Sequence, residues 1–211
     1  MTSTAVPRLL CGRGTYGDLS TDAAARPWAG VAAWPLREST GGAEPGAATA
    51  LRVGWDDAAW HLLFECVDPN PWATIAERDG PLWNEEVVEV FLDPVGDLQS
   101  YFEIEVNPLN TVCDLVLRRS PSGWRKEFGW HCDGLQTVVQ RTPRGWNAAL
   151  RIPFAAVTND AMRAGTVWRV NFFRIDRPGG AGGAVELSAW SPTLAPTFHR
   201  AERFGVIEFC G

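Results

Sequence analysis

Methionine, tyrosine and histidine are scarce in this 211-residue chain, with two, two and three copies. The histidines, His61, His131 and His199, lie far apart and show no HExxH-type spacing, so no histidine-based metal centre is expected. Five cysteines, Cys11, Cys66, Cys113, Cys132 and Cys210, form no CxxC pair and are odd in number. That usage fits reduced core thiols better than a disulfide framework or a zinc site. No GxSxG nucleophile elbow occurs, and the glycine run 179–183 lacks the lysine and helix of a phosphate-cradling loop. A net charge of -6 leaves no basic footprint for a polyanion, which excludes nucleic acid as a natural partner. Apolar runs stay far below the roughly 18 residues of a spanning helix, so no membrane partner is expected. The opening MTSTAVPRLLCGRG has no charged n-region followed by an apolar stretch. The expected location is therefore the cytoplasm, unless a leader has been removed.

Against these absences stands tryptophan, eleven copies in all. Most of these rings should fill the gap between two sheets, but the number exceeds what core volume needs, and some are expected to face a ligand. Helical periodicity is nearly absent, while short alternating segments recur between Gly, Pro, Asp and Asn clusters. Trp60, Leu62, Phe64 and Cys66 share one face of a strand that ends at the turn Asp68-Pro69-Asn70. Over 86–93, Val88, Val90 and Leu92 occupy one face, while Val87, Glu89 and Phe91 occupy the other. Over 101–107, Phe102, Ile104 and Val106 oppose Glu103, Glu105 and Asn107, a second face expected to be polar and solvated. Further strands are predicted over 111–118, 135–140, 146–152, 167–176, 185–190 and 204–209. In the 146–152 strand, Asn147, Ala149 and Arg151 are expected on a wet face. Only 154–164 suggests a helical turn or two.

The predicted fold is all-β, an antiparallel β-sandwich of jelly-roll type with one short helical segment. One domain is expected over 1–211, of which 1–50 is the less regular part, with its clearest loop at GGAEPGAA.

Seven segments, in order, resemble the family 9 carbohydrate-binding modules and the stand-alone bacterial, DOMON-like sandwich proteins built like them. They are FECVDPNPWAT (64–74), PLWNEEVVEVFLDP (81–94), YFEIEVNPLNTVCDL (101–115), GWNAALRIPF (145–154), WRVNFFRIDRP (168–178), SAWSPT (188–193) and FHRAERFGVIEF (198–209). The resemblance implies a sandwich with a slot at the end of a concave sheet face, where two aromatic rings clamp a sugar. Trp83 then supplies one wall, and Phe198 falls where the second wall is usually a Trp. Glu89 matches the family's first polar contact, and strand alternation independently places it beside Trp83. The alternative for Glu89 is a buried structural carboxylate paired with an Arg on a neighbouring strand. The family's Arg and Asn positions are occupied by Glu105 and Asn107, and Glu105 reverses the expected charge. Either the sugar contact there differs, or a cation from elsewhere, such as Arg174 or Arg169, fills the gap; Asn171 matches a further polar position.

The function expected from the resemblance is non-catalytic binding of a mono- or oligosaccharide through Trp83, Glu89, Glu105, Asn107, Asn171, Arg174 and Phe198. Two other readings remain open on the residues alone. Exposed aromatics also suit a protein-interaction scaffold, and Glu85, Glu86, Glu89, Glu103 and Glu105 could pair for glycoside hydrolysis if adjacent strands brought two of them together. No cofactor is expected: Met162 gives little support to the haem ligation of a related sandwich family. Asp93, Asp97 and Glu65 could ligate a structural calcium but lack a D-x-D-x-D-G spacing, so no metal is predicted.

Overall fold

Strands dominate residues 5–211, the part of the chain described by this computed structural model. The first four residues of the expected domain lie outside the described part. In chain order the strands begin with β1 (Arg8–Arg13), β2 (Trp34–Pro35), β3 (Arg37–Glu38), β4 (Thr49–Trp55), β5 (Ala59–Val67), β6 (Val87–Asp93) and β7 (Ser100–Val106). They continue with β8 (Val112–Ser120), β9 (Gly123–Glu127), β10 (Gln136–Thr142), β11 (Gly145–Pro153), β12 (Val167–Asp176), β13 (Glu186–Ala189) and β14 (Gly205–Cys210). A four-residue helix, α1 (Phe154–Val157), is all that forms of the helical segment expected over 154–164.

Hydrogen bonding runs through one path, β10-β11-β5-β4-β1-β14-β12-β6-β7-β8-β9. The path folds back on itself at β1, which pairs in parallel with β14 on one side and β4 on the other. The layer β10-β11-β5-β4 thus faces the layer β14-β12-β6-β7-β8-β9, as a β-sandwich. Alternation explains the core between them. Trp60, Leu62 and Phe64 of β5 and Trp146, Ala148 and Leu150 of β11 meet Val88, Val90 and Leu92 of β6 and Trp168, Val170 and Phe172 of β12 in one buried cluster. All of these residues are at most 2% exposed.

Both outer faces are covered as well, which the sequence pattern did not suggest. The Asn147, Ala149 and Arg151 face of β11 is partly covered, with Ala149 buried and the two polar side chains half-buried. Trp28 packs on Leu63 and Ala149 there, with Tyr16 and Leu19 alongside, and Asn147 Nδ2 donates to the Thr21 carbonyl at 2.8 Å. Residues 14–33 therefore form a lid over the first layer. Gly54 is required beneath it, because a Cβ built there would fall on the Tyr16 hydroxyl. On the second layer, the odd-numbered faces of β6, β7, β8 and β12 carry Phe91, Tyr101, Leu115, Leu117 and Phe173, covered by Leu82, Phe198 and Phe204. That covered face positions the candidate site.

Candidate functional site

Antiparallel register creates the site's chemistry. Glu89 of β6 stands directly opposite Glu105 of β7, and Glu103 lies two residues further along the same face, opposite Phe91. Two charges directly opposite one another would destabilise the sheet, a cost that protonation relieves. One carboxylate oxygen of each of the three lies within 4.8 Å of the others. All three residues are at most 2% exposed. The expected solvated face is therefore buried, because the chain segments around Leu82 and Phe198 fold over it. Burial, then the neighbouring Glu103, raises the Glu89 carboxyl well above its ordinary range. Burial and then the charges of Glu89 and Glu103 do the same for Glu105. Glu89 Oε1, Glu103 Oε2 and both oxygens of Glu105 have no hydrogen-bond partner.

A cation reaches this cluster from a strand that had not been expected. Lys126, on the sheet-edge strand β9, places Nζ 3.4 Å from Glu103 Oε1. The same ammonium lies 3.9 Å from the centre of the Trp83 ring, a cation–π contact. His199 adds a neutral ring, since burial lowers its pKa. Its Nδ1 lies 2.7 Å from the Tyr101 hydroxyl, within hydrogen-bonding distance.

Trp83 belongs to a single 3-10 turn, Leu82–Asn84, whose Leu82 is driven fully into the outer cluster and leaves the indole half-buried at the rim. The turn is held from both sides. Glu85 accepts the Thr74 and Ile75 amides at 2.6 and 3.0 Å, and Glu86 accepts the Trp72 amide at 3.0 Å. Beside Trp83, the exposed Phe128 ring sits 6.4 Å away, centre to centre, at 34°.

The structure thus brings together Trp83, Glu89 and Glu105 of the residues expected from the sequence. The others go elsewhere. Phe198 is 7% exposed and lies flat on Phe173, ring centres 4.1 Å apart at 19°. One of its faces is already covered, so it is a layer of the outer cluster and not a free wall opposite Trp83. Asn107 uses its side chain on the backbone: Nδ2 donates to the Ile75 carbonyl at 2.8 Å, and Oδ1 accepts the Leu109 and Thr111 amides. Asn171 does the same for the 190s loop, donating to the Ser191 carbonyl at 2.8 Å and accepting its amide at 2.9 Å.

Arg174 is corrected outright. It falls on the opposite face of β12 from Asn171 and Phe173, fully buried, bonded to Asp176, to Asp68 Oδ2 at 3.1 Å and to the Val67 carbonyl at 2.9 Å. The compensating cation near Glu105 is Lys126. Its signal in the sequence was the short stretch GWRKE, too brief and polar to be read as a strand.

Among the described residues, two further acidic groups have the spacing to hold a cation. Asp68, Glu86 and Asp176 already surround the Arg174 guanidinium. Of Asp79, Asp114 and His131, both carboxylates already pair with Arg78, whose Nη2 lies 2.7 Å from Asp114 Oδ1. The calcium ligands considered in the sequence are engaged too. Asp93 accepts the Gly96 and Leu98 amides, Asp97 the Gln99 amide, and Glu65 pairs with Arg52.

Several likenesses bear on what this geometry serves. The family model "Carbohydrate family 9 binding domain-like" matches residues 22–211. An "Extracellular protein" of the fungus Arthroderma benhamiae is 26% identical over 175 residues, covering 76% of this chain and 78% of that protein. Among solved structures, a family 9 carbohydrate-binding module from Caldicellulosiruptor kristjanssonii in complex with cellotriose superposes with a TM-score of 0.72 at 17% identity, over 97% of this chain and 94% of that one. A family 9 module from the same organism in complex with glucose gives 0.71 at 17% identity, over 97% and 96%. A putative carbohydrate-binding protein from Bacteroides uniformis gives 0.72 at 16% identity, over 96% and 98%. At these identities the structural likeness is one of fold.

Proposed function

The chain belongs to the carbohydrate family 9 binding domain-like family, and on that premise we propose that it binds a saccharide without transforming it, on the outer face of the β6-β7-β8-β12 layer. The observation that carries this reading is the half-buried Trp83 ring at the rim, joined through Lys126 to the buried Glu89, Glu103 and Glu105 cluster. A flat indole offers the apolar face of a pyranose a stacking surface. Carboxyl groups exchange hydrogen bonds with sugar hydroxyls, each contributing roughly 0.5–1.5 kcal/mol where the group is neutral. Lys126 and His199 are the partly exposed polar groups that a ligand meets first, with Glu103 behind them. Phe128 is the exposed ring placed to flank the ligand in the role the sequence assigned to Phe198. The glucose and cellotriose held by the two Caldicellulosiruptor modules support a saccharide as the ligand class.

Geometry also favours binding over hydrolysis. A retaining pair of carboxyls flanks the scissile bond, with acid and nucleophile about 5–5.5 Å apart. Glu89, Glu103 and Glu105 all rise from one sheet face and reach a ligand from one side only. The test is calorimetric titration of glucose, cello-oligosaccharides and other simple sugars into wild type and Trp83→Ala. Stacking plus a few hydrogen bonds, less ordering costs, leaves expected dissociation constants of roughly micromolar to millimolar. Trp83→Ala should weaken binding by about tenfold or more while the protein stays folded. Unchanged affinity in Trp83→Ala, or no saccharide bound at all, contradicts the reading.

A further inference from the structure

One carboxylate of the cluster already holds a cation that a neutral sugar does not replace. Burial and their neighbours favour the protonated form of Glu89 and Glu105, and Glu103 is the carboxylate that the Lys126 ammonium meets. Hydroxyls are abundant on any sugar, yet none carries a charge to pair with it. The molecule itself shows which group fits between the indole and the carboxylates. Lys126 Nζ lies 3.9 Å over Trp83 and 3.4 Å from Glu103 Oε1, so an ammonium is held by the ring and the carboxylate at once. An ammonium supplies three donors, and cation–π attraction is strongest on Trp.

Lys126 also occupies the surface on which a ligand would stack. It is a poor permanent occupant. Its side chain is 29% exposed, on the edge strand β9, at the end of a flexible four-carbon stem. It can swing out when a better-placed cation arrives, and it then remains near the rim.

We infer that the saccharide bound at this site carries a free amine, a hexosamine or its oligomer, whose ammonium takes the place of Lys126 between Trp83 and Glu103 while the ring stacks on the indole. This inference rests on the saccharide-binding reading and names its ligand class. His199, held neutral by burial, and Arg174, on the other face of β12, do not oppose a second cation there. The ligand ammonium takes over the Glu103 contact that Lys126 leaves.

The experiment is calorimetric titration of D-glucosamine, N-acetyl-D-glucosamine and D-glucose into the wild-type protein, with ethylammonium as a sugar-free cation. D-glucosamine should bind at least about tenfold more tightly than the other three. Lys126→Met removes the tethered competitor and should tighten D-glucosamine binding severalfold, whereas Glu103→Gln should weaken it. Equal affinity for glucosamine, N-acetylglucosamine and glucose would overturn the amine preference and leave saccharide binding standing. Binding of none of the sugars would overturn both. Ethylammonium binding as tightly as glucosamine would show that the sugar ring plays no part, and the inference would fail. Unchanged glucosamine affinity in Lys126→Met would refute displacement.

Discussion

Arg174→Met should cost stability and leave ligand binding alone. The guanidinium comes from β12 in the second layer and reaches across to the first. There it donates to the Val67 carbonyl at 2.9 Å and to Thr49 Oγ1 at 3.3 Å, between its bonds to Asp68 and Asp176. Methionine keeps much of the stem volume but leaves two buried carboxylates facing each other, with Glu86 as a third neighbour. Breaking a buried pair by removing one partner costs about 3–5 kcal/mol. For 211 residues, an unfolding entropy of about 0.44 kcal/mol/K converts this into a fall in Tm of about 7–11 °C. Circular dichroism melts at pH 7 measure the fall. Repeating them near pH 4 should show a smaller defect, because the stranded aspartates can then take up protons. Saccharide affinity of the folded variant should match wild type. A Tm within about 2 °C of wild type, or lost binding with intact stability, would refute the assignment of Arg174 to the interior.

Three further outcomes follow from the same geometry. Phe198→Ala should destabilise by about 3–5 kcal/mol, as expected for a packed ring and not for a free wall; chemical denaturation with an unchanged m-value measures this, and a cost under about 1 kcal/mol would show a free-standing ring. Gly54→Ala should lower stability by about 1–3 kcal/mol through overpacking, because its methyl group collides with Tyr16 and lifts it from its stack on His61; a neutral effect in thermal melts would mean that the 14–33 lid is not seated there. Burial, then a hydrogen bond with Asp68, pushes the Glu86 carboxyl up from 4.5 to about 8. The folded state thus keeps a proton that the unfolded chain releases, so stability falls as pH rises from about 4.5 to about 8. Glu86→Gln should flatten that slope without abolishing it, because Glu89 and Glu105 are raised in the same direction; an identical slope in both proteins would contradict the placement of Glu86.

Much of the sandwich was legible because alternation is a local signal. The strands β5, β6, β7, β11 and β12 were read within two residues of their observed ends. Parity also contained the correction to Arg174, which shares its even-numbered face with Trp168, Val170 and Phe172, away from Asn171. What alternation cannot show is coverage. The Glu103 and Glu105 face is polar by composition, and its burial depends on segments that arrive from residues 82 and 198. For the same reason, residues 1–50 looked irregular although β1 lies in the middle of the hydrogen-bonded path, and β4, which starts at Thr49, went unread. Their Gly- and Ala-containing stretches, RLLCGR and TALRVGW, offer little contrast between faces. Lys126 escaped notice because β9 is five residues long and rich in charge.

The central claim, that a ligand docks on Trp83 above the carboxylates, can be tested by titrating sugar into 15N-labelled protein and following the eleven indole N–H resonances. The account predicts that the Trp83 indole and the Lys126 and Phe128 amides move together and saturate with one dissociation constant, while the amide of Arg174 stays still. Shifts confined to the opposite layer around Arg13 and Tyr16, or saturating shifts that leave Trp83 untouched, would contradict it.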